Sequence, residues 1–213
     1  MSVKQRKRLT RRESQEATRA RLIEAAEKTF IRCGFDASSV ERIAEAAGFS
    51  RGAFYSNFQN KDELFIAVLN KRRLDTASAL GEIFRRESNA AKRLRAARDW
   101  YVNQEQQKQW IVLETEFTLR AIRNRAVRVR LTEMRRQELE SYSALVAQHF
   151  SEIGLPAIVR PETIALSLMA VLEGLGRLSL IETDGDAGDR FAEARDLVFN
   201  RLITIETAAA AAR

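Results

Sequence analysis

The chain has 213 residues, of which 45% are hydrophobic and 31% charged, and its formal net charge is +7 at pH 7. This length and composition fit one or two soluble domains, each with a hydrophobic core. No uncharged apolar stretch reaches the roughly 18 residues that span a membrane, and no apolar signal-peptide run opens the sequence. We therefore expect a cytoplasmic protein without membrane segments. A single cysteine excludes an internal disulfide.

Helix is the predicted state of nearly the whole chain. Prolines occur only at positions 156 and 161, and most glycines separate periodic stretches. A first helix carries Leu22, Ala25, Ala26 and Phe30 on one face and ends near Gly34. Two short helices follow it. We then predict helices over residues 62–87, 90–107, 109–123, 125–152, 162–183 and 189–207.

Positive charge is concentrated at the N-terminus. Residues 1–61 contain 13 Lys and Arg but 7 Asp and Glu, and six of the basic residues lie within positions 1–12. A short basic arm of this kind is suited to phosphate or minor-groove contact. A solvated, disordered tail is the alternative.

Residues 38–61 have the pattern of two short helices joined by a tight turn. Val40, Ile43, Ala44 and Ala47 follow the helical spacing of a buried face. Gly48 can adopt the left-handed conformation that ends a helix, because it has no β-carbon. Ser50, Ser38-x-x-Glu41 and Asn60-x-x-Glu63 supply N-caps or capping boxes.

The second short helix has a surface suited to DNA. Phe54 and Phe58 lie four residues apart and should face inward, which leaves a polar surface of low profile. Arg51 can fork onto a guanine edge, and Tyr55 and Lys61 suit phosphate oxygens. Helix N-termini also attract phosphate. The predicted DNA-contacting residues are Ser38, Ser39, Arg51, Gly52, Ala53, Tyr55, Ser56, Asn57 and Lys61. Two helices of an ordinary bundle are the alternative.

The order and spacing of these residues resemble the DNA-binding domain of the TetR family of bacterial regulators. The matching positions are Ile43-Ala44, Gly48-Phe49-Ser50, Phe54-Tyr55, Phe58 and Lys61-Asp62-Glu63-Leu64, within a match over about residues 18–69. Two positions depart from the family pattern. Asn57 stands where an aromatic residue or histidine is usual, and Glu41 stands where some members have a basic residue. Both departures bear on the operator sequence rather than on the fold.

The resemblance implies an all-α protein with a basic arm over 1–17, a three-helix helix-turn-helix domain over 18–64, and a helical effector-binding and dimerisation domain over 65–213. It implies a homodimer that binds a double-stranded DNA operator and responds to a small-molecule effector. We expect a repressor, released from a palindromic operator by an apolar or aromatic molecule.

Aromatic residues cluster in the middle helices. Such a stripe is usually core, but pockets between helices are lined by the same groups. The candidate effector-binding residues are Trp100, Tyr101, Trp110, Leu113, Phe117, His149 and Phe150.

Residues 163–183 are apolar around the whole helix and therefore need cover on several sides. Together with the last helix they could form a four-helix dimer interface, with a core inside one protomer as the alternative. The candidate interface residues are Leu168, Leu172, Leu175, Leu178, Phe191, Leu197 and Val198.

The sequence offers little for catalysis. His149 is the only histidine and Cys33 the only cysteine, and neither has partners at metal-ligand or triad spacing. We expect no enzyme activity, no metal and no cofactor. Two alternatives stay open: a ligand-independent architectural DNA-binding protein, and a helical enzyme that uses His149. The arginines between positions 120 and 136 fit a solvated surface better than a site for an acidic ligand.

Overall fold

The computed structural model describes residues 10–102, 107–154, 159–182 and 187–199. Within these ranges the chain forms helices and connecting turns, without strands. Most of the predicted basic arm, and the end of the last predicted helix, lie outside the described residues. No helix in the described ranges combines the length and hydropathy needed to cross a membrane.

The helices follow the predicted order. They are α1 (Arg11–Cys33), α2 (Val40–Ala46), α3 (Arg51–Tyr55), α4 (Lys61–Arg86), α5 (Ala90–Val102), α6 (Gln107–Arg123), α7 (Arg125–Glu152), α8 (Pro161–Leu178) and α9 (Ala187–Leu197).

Two helix boundaries differ clearly from the predictions. Helix α1 begins at Arg11, inside the stretch predicted as an arm, because Thr10 and Glu13 form a reciprocal capping box. Helix α8 ends at Leu178 although apolar residues continue beyond it. The Ser179 hydroxyl donates to the carbonyl of Gly176 at 2.7 Å, and the next residues form tighter turns.

The chain divides into two compact units between Lys71 and Arg72, within α4. In the N-terminal unit the predicted face of α1 is buried. The rings of Phe30, Phe35 and Phe65 meet there with centroids 5.0, 5.1 and 5.6 Å apart. This aromatic cluster fixes the packing of the short helices, because offset and edge contacts between rings favour one arrangement.

In the C-terminal unit α7 packs along α8, and Val146, Phe150, Ile164 and Ala165 form a buried cluster. Arg93 is also buried, with 2% of its surface exposed, although nothing in the local sequence pattern indicates this. Its Nε donates to the carbonyl of Glu87 at 3.0 Å, just beyond the end of α4, and its guanidinium pairs with Glu152. The buried charge therefore satisfies carbonyls that the helix leaves unpaired.

Candidate nucleic-acid interface and effector cavity

The turn between α2 and α3 has the predicted geometry. Gly48 has φ of +75°, and the N–H of Phe49 donates to the carbonyl of Ala44 at 2.9 Å. The Ser50 hydroxyl accepts from the N–H of Ala53 at 3.2 Å and caps α3. The positive φ favours glycine at this position, and a β-carbon there would also lie 3.1 Å from the guanidinium of Arg21, which would have to shift by a few tenths of an ångström.

The exposed surface of helix α3 includes small residues that do not protrude. Phe54 and Phe58 are buried, as predicted. Exposed positions along the helix and its C-cap are Arg51, Gly52, Tyr55 and Ser56, whereas Ala53 is half-buried. Small residues between Arg51 and Tyr55 leave room for base edges at this surface.

Arg51 and Glu41 form an ion pair across the two helices of the motif. Their nitrogen and oxygen atoms lie 3.0 Å apart, and both side chains are more than half exposed. The guanidinium also lies 5.5 Å from the centre of the Tyr55 ring. The sequence departure at Glu41 is therefore in direct contact with the residue predicted to contact a base.

The side chain of Asn57 is less available for contact with DNA than predicted. Its side-chain amide donates to the carbonyl of Ala53 at 2.8 Å, and its backbone carbonyl accepts from Arg19. The guanidinium of Arg19 lies over the Phe58 ring at 4.0 Å. These contacts use Asn57 to close the C-terminal end of α3.

The cap of α2 is Ser39 rather than Ser38. The Ser39 hydroxyl accepts from the N–H of Arg42 at 3.2 Å, whereas Ser38 is buried and donates to the carbonyl of Gly34. The predicted capping role of Ser38 is therefore wrong, and its hydroxyl is engaged by Gly34 rather than exposed; its contact with phosphate stays a prediction. Asn60 caps α4 as predicted, accepting from the N–H of Glu63 at 2.9 Å.

Lys61 has an internal role that the sequence did not indicate. Its ammonium donates to the carbonyls of Phe35 and Ser38, each at 2.8 Å, and lies 3.3 Å from that of Asp36. It also lies 4.4 Å from the centre of the Phe35 ring. Three carbonyls match the three protons of an ammonium. In this geometry Lys61 fixes the loop before α2, and its predicted phosphate contact is not supported.

The C-terminal unit contains a cavity of about 220 Å³ bounded by residues of α4 to α8 and by Phe199. Of the candidate effector residues, Trp100, Tyr101 and His149 line it. The others are buried core residues that are not part of its wall: Trp110, Leu113, Phe117 and Phe150. The aromatic stripe on α6 therefore packs behind the cavity rather than against it.

The cavity wall includes polar groups among its apolar ones. Glu114, Glu173 and Arg72 line it, and so does His149. Burial lowers the pKa of His149, and the nearby Arg93 lowers it further, so the imidazole is neutral at neutral pH. Its Nδ1 is buried and has no hydrogen-bond partner among the described residues.

Helix α8 separates into an inner and an outer face. Leu168 and Leu172, predicted at a dimer interface, line the cavity instead. Half-buried interface candidates are Leu175, Phe191 and Val198, and exposed ones are Leu178 and Leu197. The outer face, here called the α8 stripe, consists of Leu166, Ala170, Val171, Gly174 and Leu178.

Glu173 and Arg177 form an ion pair with a 3.0 Å separation, one turn apart on α8. Arg135 of α7 also pairs with Glu173. Arg136, a neighbour in the same basic stretch, pairs with Glu133 at 2.8 Å. At least these two arginines are thus paired with carboxylates of the same chain.

Comparison with known proteins finds relatives of this chain among bacterial transcriptional regulators. The family described as "Bacterial regulatory proteins, tetR family" matches residues 22–68. The HTH-type transcriptional regulator TtgR of Pseudomonas putida is 49% identical over 63 residues, which span 30% of each chain. The uncharacterised HTH-type transcriptional regulator YwcC of Bacillus subtilis is 28% identical over 179 residues, or 78% of each chain.

The fold also matches solved structures along most of its length. A TetR transcription regulator from Haloarcula marismortui superposes with a TM-score of 0.68 at 17% identity, covering 87% of this chain and 97% of that one. The family model and the match to TtgR thus fall on the N-terminal part of the chain, whereas the match to YwcC and the structural match extend over most of it. Residues 22–68 therefore form a DNA-binding domain of the TetR family of bacterial regulatory proteins, and the chain has the fold of solved TetR-family regulators.

Proposed function

We propose that this protein is a repressor that binds a palindromic operator as a homodimer and releases it when a small molecule fills the cavity. The observation that carries the proposal is the cavity of about 220 Å³ in the unit that follows the helix-turn-helix. A cavity of this kind, with apolar walls and a few polar groups, is the usual form of a small-molecule site.

On the DNA side, the first turn of α3 enters the major groove. The Arg51 guanidinium donates two hydrogen bonds to a guanine edge, and the small Gly52 beside it allows the helix to approach the bases. Tyr55 and Ser56 lie on the same exposed surface, where hydroxyls suit phosphate oxygens. Two protomers related by a two-fold axis contact two half-sites about one helical turn apart, which makes the operator palindromic.

The α8 stripe supplies the dimer contact. Leu166 and Leu178 have 55% and 51% of their surface exposed in the single chain, and Gly174 has open space beside it. Leu197 of the neighbouring α9 is 60% exposed. Contiguous exposed apolar surface of this kind marks an association site, and small residues let the helices of two protomers approach closely.

The effector has a mainly apolar or aromatic body. Most of the wall is formed by hydrophobic side chains and by the rings of Trp100, Tyr101 and Tyr142. Helix α4 links this site to the DNA-binding unit, since Lys61 at its start holds the loop before α2, and Arg72, Thr76, Leu80 and Phe84 line the cavity. A ligand that displaces α4 shifts the protein toward a state of lower DNA affinity, by no more than its preference between the two states.

The proposal is tested by selecting an operator from random duplexes and measuring its release by fluorescence anisotropy during compound titration. Trp100 lines the cavity, so its fluorescence should change in step with operator release. Trp100→Phe leaves only Trp110, and its signal should respond less. The proposal fails if the compounds that free the operator leave Trp100 unchanged, or if no compound that binds the cavity alters operator affinity. The latter result would favour a ligand-independent architectural protein.

A further inference from the structure

The two carboxylates of the cavity wall, Glu173 and Glu114, differ in how closely arginines pair with them. Glu173 is paired twice, with Arg135 and with Arg177. Glu114 has a weaker counterion, because the Nε of Arg72 lies 4.0 Å from its carboxylate. That separation is beyond hydrogen-bond distance, so Arg72 offsets the charge of Glu114 only in part.

Arg72 is also held by other groups. Its guanidinium donates to the amide oxygen of Gln107 at 2.9 Å and lies 4.5 Å from the centre of the Trp110 ring. These contacts hold the Arg72 guanidinium against Gln107 and the Trp110 ring. A ligand anion would have to compete with Gln107, Trp110 and Glu114 for this group.

The surroundings of Glu114 oppose its ionisation. Burial raises the pKa of this carboxyl, while Arg72 and Arg135 lower it by smaller amounts. About 33% of the side chain is accessible, and its position in the wall turns accessible surface toward the cavity. An ionised carboxylate with this environment gains from any cation that enters the cavity, since the interaction is strong where water is scarce.

Aromatic rings in the same wall add to this preference. Trp100, Tyr101 and Tyr142 all line the cavity, and the negative face of an aromatic ring attracts a cation. The Tyr142 hydroxyl donates to Glu138 at 3.3 Å, which leaves its ring as wall surface. The unpartnered Nδ1 of His149 is a further polar atom in the wall that a ligand could satisfy.

We infer that the ligand of this cavity is an organic cation, with an apolar or aromatic body and a protonated amine that pairs with Glu114. The inference rests on the proposed function, because it names the chemical class of the effector. It excludes carboxylates and phosphates as effectors. The amine also has hydrogen-bond donors to offer, which suits an imidazole nitrogen that accepts.

The test uses three probes that share one body and differ in head group: 4-phenylbutylamine, 4-phenylbutan-1-ol and 4-phenylbutyrate. Each is titrated into the full-length protein at neutral pH, with binding followed by calorimetry and tryptophan fluorescence. The amine should bind at least about tenfold more tightly than the alcohol, as expected for a cation beside a desolvated carboxylate and ring faces. The carboxylate probe should bind most weakly.

Glu114→Gln should remove most of the preference for the amine over the alcohol while preserving side-chain shape. Glu116→Gln makes the same change on the same helix, outside the cavity wall, and should keep the preference. The inference is overturned if the alcohol or the carboxylate binds as tightly as the amine, if Glu114→Gln leaves the preference intact, or if none of the probes binds. Operator release is measured separately. Cation binding without release would defeat the proposed function alone, and release by neutral compounds alone would defeat the cation inference.

Discussion

Arg51 of α3 is paired with Glu41 of α2 at 3.0 Å on the exposed surface of the helix-turn-helix. Exposed pairs of this kind contribute little to stability, typically below about 1 kcal/mol. The effect of the pair is therefore expected at the DNA surface. There, we expect the Glu41 carboxylate to orient the Arg51 guanidinium and at the same time to repel the phosphate groups of DNA.

Arg51→Ala should weaken operator binding by about 1–3 kcal/mol, because a bidentate contact with a base edge is lost. Its effect on random duplexes should be much smaller. Arg42→Ala removes another exposed arginine of the same unit and should affect both duplexes alike. Anisotropy titrations measure both affinities. Equal losses for Arg51→Ala on the two duplexes would make Arg51 a phosphate contact instead.

Glu41→Gln should raise the affinity for random duplexes by about fivefold per protomer, since a unit charge near phosphate contributes roughly 1 kcal/mol in water. The operator should gain less, because Arg51 loses its orienting partner. The ratio of operator to random affinity should fall accordingly. Glu45→Gln, the same charge change on the same helix, is the control. An equal gain there, or an unchanged ratio for Glu41→Gln, would show that Glu41 acts only through net charge.

The helix-turn-helix could be predicted because its determinants are local. Gly48, Ser50 and the spacing of Phe54 and Phe58 lie within 11 residues and specify turn, cap and buried face directly. Lys61 could not be assigned in this way. Its carbonyl partners Phe35 and Ser38 lie 26 and 23 residues earlier, and no periodic pattern encodes a contact of that range.

Lys61→Ala should destabilise the N-terminal unit by about 2 kcal/mol, because hydrogen bonds from a charged donor to loop carbonyls are lost. Urea denaturation followed by circular dichroism measures the change, and amide hydrogen exchange over residues 34–40 should accelerate. Lys28→Ala, at an exposed position of α1, should leave both unchanged. If Lys61→Ala weakens DNA binding without altering stability or exchange, the ammonium contacts phosphate after all.

The helical unit was harder to predict because burial alone does not distinguish core from cavity wall. Trp110 and Phe117 form the periodic buried stripe on α6, yet Trp100 of α5 faces the cavity. The apolar α8 offered the same ambiguity, and Leu172 fell on the inner side. Glu114 looked like an ordinary charged residue between apolar ones, and its partial pairing depends on Arg72 of another helix.

Leu178→Arg should convert the proposed dimer to monomers, because a charge placed in a packed apolar interface cannot be paired. Sedimentation measures the oligomeric state. Val129→Arg places the same side chain at a position of α7 that is 62% exposed and outside the α8 stripe, and it should leave the dimer intact. An unaltered dimer for Leu178→Arg would move the interface to another surface. A folded monomer should also lose operator binding, since one half-site contact gives too little affinity.

Glu114→Gln should make the ligand-free protein more stable at neutral pH. The folded chain raises the pKa of Glu114 above its ordinary 4.5, so the protonated form favours folding and this contribution is lost as the pH rises through the folded-state pKa. Above pH 4.5 the wild-type chain therefore loses stability that glutamine, which does not titrate, keeps. Thermal unfolding should give a higher midpoint for the variant at neutral pH, and the difference should shrink as the pH falls below 4.5.

Glu133→Gln provides the opposite case on α7. Hydrogen bonds from Arg136 and Gln137 lower the pKa of Glu133 to about 2, so its ionised form favours folding above pH 4.5 and this contribution is lost as the pH falls toward 2. The variant should be slightly less stable at neutral pH, by a small amount because the pair is exposed. Opposite signs for the two variants would show that the cavity carboxylate is retained at a cost to the ligand-free fold. A loss of stability in Glu114→Gln would instead mean that Arg72 and Arg135 fully compensate its charge.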